Sequence, residues 1–238
     1  MKLEHVKQEN VFKKRFSSIR ERIINAAISS GRDPSDIRLV TVSKKMPEEK
    51  IIKAIDAGAD ILGENFIQEA RQKAEHLSSR NISWHFIGHL QSNKAKYAVR
   101  IFDLIHTVDS LKLALELNKR AENINKIQHI LIQVNISGEL SKSGIDPDKI
   151  MDLLKKISLL KNLSIQGLMT VPPFSSDPEK ARPFFASLRN LKDKINKEAL
   201  PDIYIKELSM GMTGDFETAI EEGATLVRIG TAIFGKRD

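Results

Sequence analysis

Cysteine is absent from the 238 residues. That excludes a disulfide framework, a thiolate metal site and a thiol nucleophile, and it suits a reducing compartment. Aromatic residues make up only 5%, too few to stack successive bases as single-strand nucleic-acid binders do. The opening stretch MKLEHVKQENVFKKRF is charged throughout and lacks the apolar core and small-residue cleavage site of a secretory signal. No later apolar run is long enough to span a bilayer. No GxGxxG follows the first apolar strand, no HExxH sets two histidines on a helix, and no GxSxG elbow presents a serine, so dinucleotide-binding, zinc-protease and serine-hydrolase readings lack their motifs. Together these absences predict a cytoplasmic protein that uses no metal, membrane or nucleic acid.

What is present is an ordinary globular balance, with 41% hydrophobic and 29% charged residues. The formal charge of +7 is compatible with nucleic acid, an anionic surface or a small phosphorylated ligand. Lysine and arginine are spread beside acidic residues rather than gathered in a basic block, which favours an ordinary solvated surface over nucleic-acid recognition. The length fits one α/β domain over residues 1–238, with an opening helix inside 1–31 and a barrel over 38–238. No long heptad seam argues for oligomerisation, so a monomer is expected.

Apolar residues Phe12, Phe16, Ile19, Ile23 and Ala27 recur at three- and four-residue steps and predict an amphipathic helix ending near Gly31. Beyond it the chain alternates. RLVTVSKK, DILGEN, ISWHFIG, FDLIHTV, HILIQVNIS, LSIQGLMTV, IYIKELSM and TLVRIG read as strands, and each is followed by a helical segment or a short tail. Repeated strand-then-helix units in one domain of this length predict a closed (β/α)8 TIM barrel rather than an open doubly wound sheet.

Reactive groups in such barrels project from the C-terminal ends of the strands. Lys44 and Lys45 stand at the end of the first. A lysine at the mouth of a buried strand is a candidate covalent amine, because desolvation lowers its pKa and exposes the neutral nucleophile that condenses with aldehydes. The bland alternative is a snorkelling surface lysine. Residue pattern alone leaves Lys44 and Lys45 both open, although strand alternation sends them to opposite faces and admits only one. LSMGMTGD and RIGTAIFG end the last two strands with glycines and hydroxyls, the material of a barrel phosphate site or of ordinary turns. His85 and His89 lack metal-ligand spacing and suit hydrogen-bonding roles. Glu64 is either an acid–base candidate or a paired carboxylate.

Taken in order, VSKKMP, GENFIQEA, WHFIGHLQSNK, IQVNISGELSKSGI, GLMTVP and LSMGMTGDFETAIEEGATLVRIGTAIFG resemble the pyridoxal-phosphate homeostasis protein family, related in fold to the N-terminal domain of bacterial alanine racemase. The resemblance runs from about Leu39 onward. It implies that pyridoxal 5′-phosphate forms a Schiff base with Lys44, that Ser209, Gly211, Gly230 and Thr231 hold its phosphate, that Arg228 faces the pyridine nitrogen, and that Asn65 and Met169 line the ring. It also implies a carrier or buffer in vitamin B6 homeostasis, with apoenzymes that depend on the cofactor as partners. The alternative it leaves is a weak amino-acid racemase or lyase with Lys44 as base. Racemisation needs a second base, supplied in alanine racemase by a tyrosine of a further C-terminal domain, and the chain ends where that domain begins. Tyr97 and Tyr204 are expected on a helix and at the start of a strand, away from the open face. Lys142 in SKSG is a candidate relay for release or a solvated loop lysine. Thr213, Gly214 and Asp215 stand where some relatives carry a serine and two acids, and Thr213 is expected to cap the following helix.

Overall fold

Strands buried on both faces read as near-continuous apolar runs, and in this chain they pair in parallel and in sequence order into a closed barrel. The computed structural model describes residues 2–139, 142–200 and 203–235, with side chains from residue 11 onward. The strands are β1 Arg38–Val42, β2 Ile61–Glu64, β3 Ser83–Phe86, β4 Leu104–Val108, β5 Gln128–Gln133, β6 Leu163–Met169, β7 Glu207–Ser209 and β8 Leu226–Ile229. Closure comes from β8 lying against β1, with Val40 opposite Arg228 and Thr41 opposite Ile229. Around the strands run α1 Lys2–Ser29, α2 Glu48–Asp56, α3 Ile67–His76, α4 Ala95–Ile101, α5 Leu111–Glu122, α6 Ile150–Ile157, α7 Arg182–Lys197, α8 Phe216–Glu221 and α9 Thr231–Phe234.

The predicted helix is α1, and Phe12, Phe16, Ile19, Ile23 and Ala27 are all buried. They seat α1 across α8 and α9, with the Phe12 and Phe234 rings 6.0 Å apart. Arg32 then ties the turn after α1 to the carbonyls of Ile220 and Ala224. Each predicted strand is present, though shorter than its apolar run, and two of the shortenings matter for the site. β1 stops at Val42, so Lys44 and Lys45 belong to a turn and strand alternation does not govern them. β7 keeps only Glu207–Ser209, because the Asn196 side chain takes both backbone groups of Ile205, accepting from its N–H and donating to its carbonyl. Tyr204 is consequently an exposed residue ahead of β7 rather than part of it, while Tyr97 lies in α4 as expected.

Most buried apolar side chains fill the layer between strands and helices. A second, smaller cluster of Val40, Ile61, Leu104, Leu131, Met169 and Leu226 fills the barrel itself. His106 follows Leu104 by two residues and so shares its face. It is fully buried, and its Nε2 lies 3.0 Å from His85 Nδ1. β6 contributes Gly167 opposite Glu207 of β7, where a Cβ would sit 2.0 Å from the Glu207 carbonyl oxygen.

Gly167→Ala would force β6 and β7 apart and is expected to lower stability by about 3 kcal/mol or more, read as a lower urea midpoint. The buried histidines make a second contribution that depends on pH. Burial, with Arg38 nearby, holds the His85 imidazole down to about 3, and burial first, then His85 and Arg228, depresses that of His106. The unfolded chain binds these protons near pH 6.5 and the native state does not. Their contribution is therefore complete above about pH 6.5 and is lost progressively as the pH falls toward 3. Urea midpoints measured from pH 7 to 5 are expected to fall more steeply for the wild type than for His106→Asn.

Candidate functional site

The turn after β1 is held by a buried ionic cluster. Lys73, on α3, donates to the Ser43 carbonyl at 2.7 Å, to Glu64 Oε1 at 2.7 Å and to Glu69 Oε1 at 2.6 Å. Glu64 Oε1 also accepts from the Ser43 hydroxyl at 2.6 Å. Burial pushes the Glu64 carboxyl up, opposed chiefly by Lys73. The Lys45 N–H donates to Glu69, and Lys45 takes the left-handed conformation at φ 59. This pins the backbone on both sides of Lys44 and separates the two lysines: Lys45 is exposed, whereas Lys44 is half-buried against a cavity. Glu64 is thus a paired structural carboxylate and not a cavity acid.

That cavity, of about 480 Å³, opens at the C-terminal ends of the strands. It brings together Lys44, Asn65, Met169, Arg228, Gly230 and Thr231, and adds Val42, Ile87, the loop residues Pro173, Phe174 and Ser175, and Met212 to Asp215. A larger groove of about 730 Å³ is lined by Asn190, Asp193, Lys194, Lys197 and Glu198. Those residues form the solvent side of α7 and its end, with no converging chemistry, so the smaller cavity is the candidate site.

Arg228 supplies the charge. It is buried, donates to Ser209 Oγ at 2.6 Å and to the Thr170 carbonyl at 3.0 Å, and has no carboxylate at ion-pair distance among the described residues. Burial lowers its guanidinium to about 10, with Asp215 opposing, so it stays protonated at neutral pH. Asp215 is itself pushed up by burial, while its bond from the Met212 N–H at 2.6 Å pulls it down. Gly230 packs closely on β1, where a Cβ would lie 3.1 Å from the Val42 carbonyl oxygen.

Ser209 and Gly211 are not among the residues that line the cavity. Ser209 lies beneath the cavity, its hydroxyl engaged by Arg228 and by His106 Nδ1 at 2.8 Å. Gly211 adopts φ +89, and a Cβ there would meet Ala219 Cβ at 2.6 Å. Thr213 lines the cavity rather than capping α8, whose N-cap is Asp215. Lys142 pairs with Glu139 at 3.2 Å, and Ser141 lies outside the described residues. Sequence reasoning passes over His106, whose signal is a single ionisable residue at an inward position of the apolar strand LIHTV. Phe174, 95% exposed at the cavity rim, leaves no trace in the periodicity because it belongs to neither strand nor helix.

Residues 38–238 match the family described as Alanine racemase, N-terminal domain. The pyridoxal phosphate homeostasis protein of Aquifex aeolicus is 44% identical over 223 residues, covering 94% of this chain and 97% of the relative. PipY of Synechococcus elongatus, solved with PLP bound, is 35% identical with a TM-score of 0.83, over 94% of this chain and 100% of PipY. An alanine racemase of Clostridium difficile shares the fold alone, at 13% identity and a TM-score of 0.72 over 94% of this chain and 57% of the racemase. Agreement along nearly the whole chain leaves one assignment: this protein belongs to the pyridoxal phosphate homeostasis protein family, built on the barrel of the alanine racemase N-terminal domain.

Proposed function

We propose that the protein binds pyridoxal 5′-phosphate in the C-terminal cavity and holds it reversibly through Lys44, as a carrier that limits the free aldehyde and passes it to apoenzymes. The observation that carries this reading is a single cavity lined by the amine of Lys44, after the first strand, and the guanidinium of Arg228, on the last. PLP bound in PipY, and the name shared by the curated relatives, support it.

The residues present fit the group. Arg228 is a buried cation that lacks a carboxylate partner among the described residues and so suits an electron-rich or anionic ligand. Asn65 Oδ1 is buried without a hydrogen-bond partner among them, a group left for a ligand donor or water to satisfy. Gly230 lets backbone approach a ligand closely, and Thr231 and the loop from Met212 to Asp215 add hydroxyl and amide donors at the same mouth. Bound there, the cofactor supplies an aldehyde that condenses reversibly with a primary amine.

The chain's own groups then restrict the chemistry open to it. Arg228 retains its proton, so it would hold a cofactor's ring nitrogen beside it unprotonated and a weak electron store, which disfavours decarboxylation and transamination. Racemisation needs proton donors on both faces of a substrate carbon. Among the described residues the cavity wall contains no tyrosine, since Tyr97 lies on α4 and Tyr204 is exposed. Asp215, the other ionisable group of the wall, has an oxygen committed to the Met212 N–H. Among the described residues, no tyrosine or histidine of the wall stands beside Lys44 as a second base.

Borohydride reduction of the protein loaded with pyridoxal phosphate, followed by peptide mass mapping, is expected to mark Lys44; Lys44→Ala loses the yellow colour and Lys45→Ala keeps it. Labelling elsewhere, or a colourless wild type, overturns the reading. Solvent deuterium is expected not to enter the α-carbon of added amino acids faster than with free pyridoxal phosphate, as followed by NMR. Clear acceleration would make the protein a racemase-like enzyme instead.

A further inference from the structure

Beneath Arg228 an unbroken line of hydrogen bonds crosses the barrel. Arg228 reaches Ser209 Oγ at 2.6 Å, Ser209 Oγ reaches His106 Nδ1 at 2.8 Å, and His106 Nε2 reaches His85 Nδ1 at 3.0 Å. All four side chains are buried. His85 lines a second cavity of about 280 Å³ at the opposite, N-terminal end of the strands, with Arg38, Asp103, His129 and Glu207.

The direction of this line comes from donor counting. A guanidinium only donates, so Ser209 Oγ accepts from it. Among the described residues the serine proton has one remaining partner, His106 Nδ1, which must then be an acceptor. The neutral His106 ring carries its proton on Nε2 and donates to His85 Nδ1, which leaves His85 with its own proton on Nε2. Reversing any link strands the serine proton or sets it against a cation. Arg38, held by Glu207 at 2.9 Å, adds positive charge beside His85 and opposes a proton entering from that end.

We infer that His106 and Ser209, with His85 behind them, are positioning residues for Arg228, a one-way relay that fixes the guanidinium at the cavity floor; this rests on reading that cavity as a cofactor site. The relay supplies oriented dipoles instead of a carboxylate. It holds the cation in place yet leaves its charge for the ligand.

The test has two arms. In protein without added cofactor, nitrogen-resolved NMR of the imidazoles is expected to show His85 and His106 as neutral Nε2–H tautomers, unchanged as the pH falls through the ordinary histidine value of about 6.5. An Nδ1–H tautomer or a protonated ring at His106 overturns the relay. In the second arm Ser209→Ala and His106→Leu each weaken pyridoxal phosphate binding roughly tenfold, the scale of one charge-assisted hydrogen bond. Each also raises the pH midpoint of the bound cofactor's visible band, because a cation that has drifted from the ring opposes a second positive charge less. The double variant is expected to be no worse than the poorer single one, and His106→Asn, which restores an acceptor at the Nδ1 position, recovers the wild-type midpoint. Additive losses with an unmoved midpoint overturn the positioning role. A wild type that takes up no pyridoxal phosphate sinks the cofactor reading instead, and the imidazole spectra still decide the relay.

Discussion

Barrel closure is the constraint on which the rest depends. Lys44 and Arg228 are separated by most of the chain, yet β8 lies against β1 with Arg228 opposite Val40, four residues before Lys44. Parallel pairing places all strand C-terminal ends at one mouth. An amine from the first unit and a cation from the last therefore share a cavity only because the sheet has no edges. α1 reinforces that seam from outside, packed on α8 and α9 through Phe12 and Phe234. A fold that opened between β8 and β1 would lose the site before it lost most of its core.

Much of this fold is legible in the sequence because barrel strands are apolar on both faces and the helices between them are amphipathic, two patterns that period alone separates. The strand ends are less so. Which of Lys44 and Lys45 lines the cavity is set not by alternation but by a turn, and that turn is determined by Lys73 and Glu69 on α3, residues that look like ordinary surface charge in a one-dimensional reading. The hydroxyl and glycines of LSMGMTGD read equally as a phosphate site or as ordinary turns. The surroundings of Ser209 and Gly211 are set by partners on other strands and helices, Arg228 and His106 for the serine and Ala219 for the glycine. Local composition carries no record of such partners. The family resemblance distinguishes the two lysines on grounds that residue pattern does not supply.

Two buried cations flank the cavity and are managed in opposite ways. Lys73 is surrounded by Glu64, Glu69 and the Ser43 carbonyl, so its charge is cancelled where it stands and the product is rigidity. Arg228 meets only a hydroxyl and a carbonyl as hydrogen-bond partners among the described residues. Dipoles compensate part of the desolvation cost of a buried charge without removing the charge itself. Replacing Ser209 by an acidic residue would make a better ion pair and a worse binding site, since the floor would then be neutral toward an incoming ligand.

The same distinction bears on why the arginine rests on neutral histidines. A histidine that gained a proton beneath Arg228 would put a second cation under the cavity, and its depressed pKa removes that event from the physiological range. The barrel loses acid stability as a result, because imidazoles held neutral in the native state are charged in the unfolded one. The polar core is thus a burden on the fold and a condition of the site: it keeps the potential at the cavity floor positive and nearly independent of pH around neutrality. On the function proposed above, a carrier that grips and releases the same anion through reversible amine chemistry needs that background constant, so that the equilibrium at the proposed Lys44 site is set by ligand concentration and not by the protonation of its surroundings.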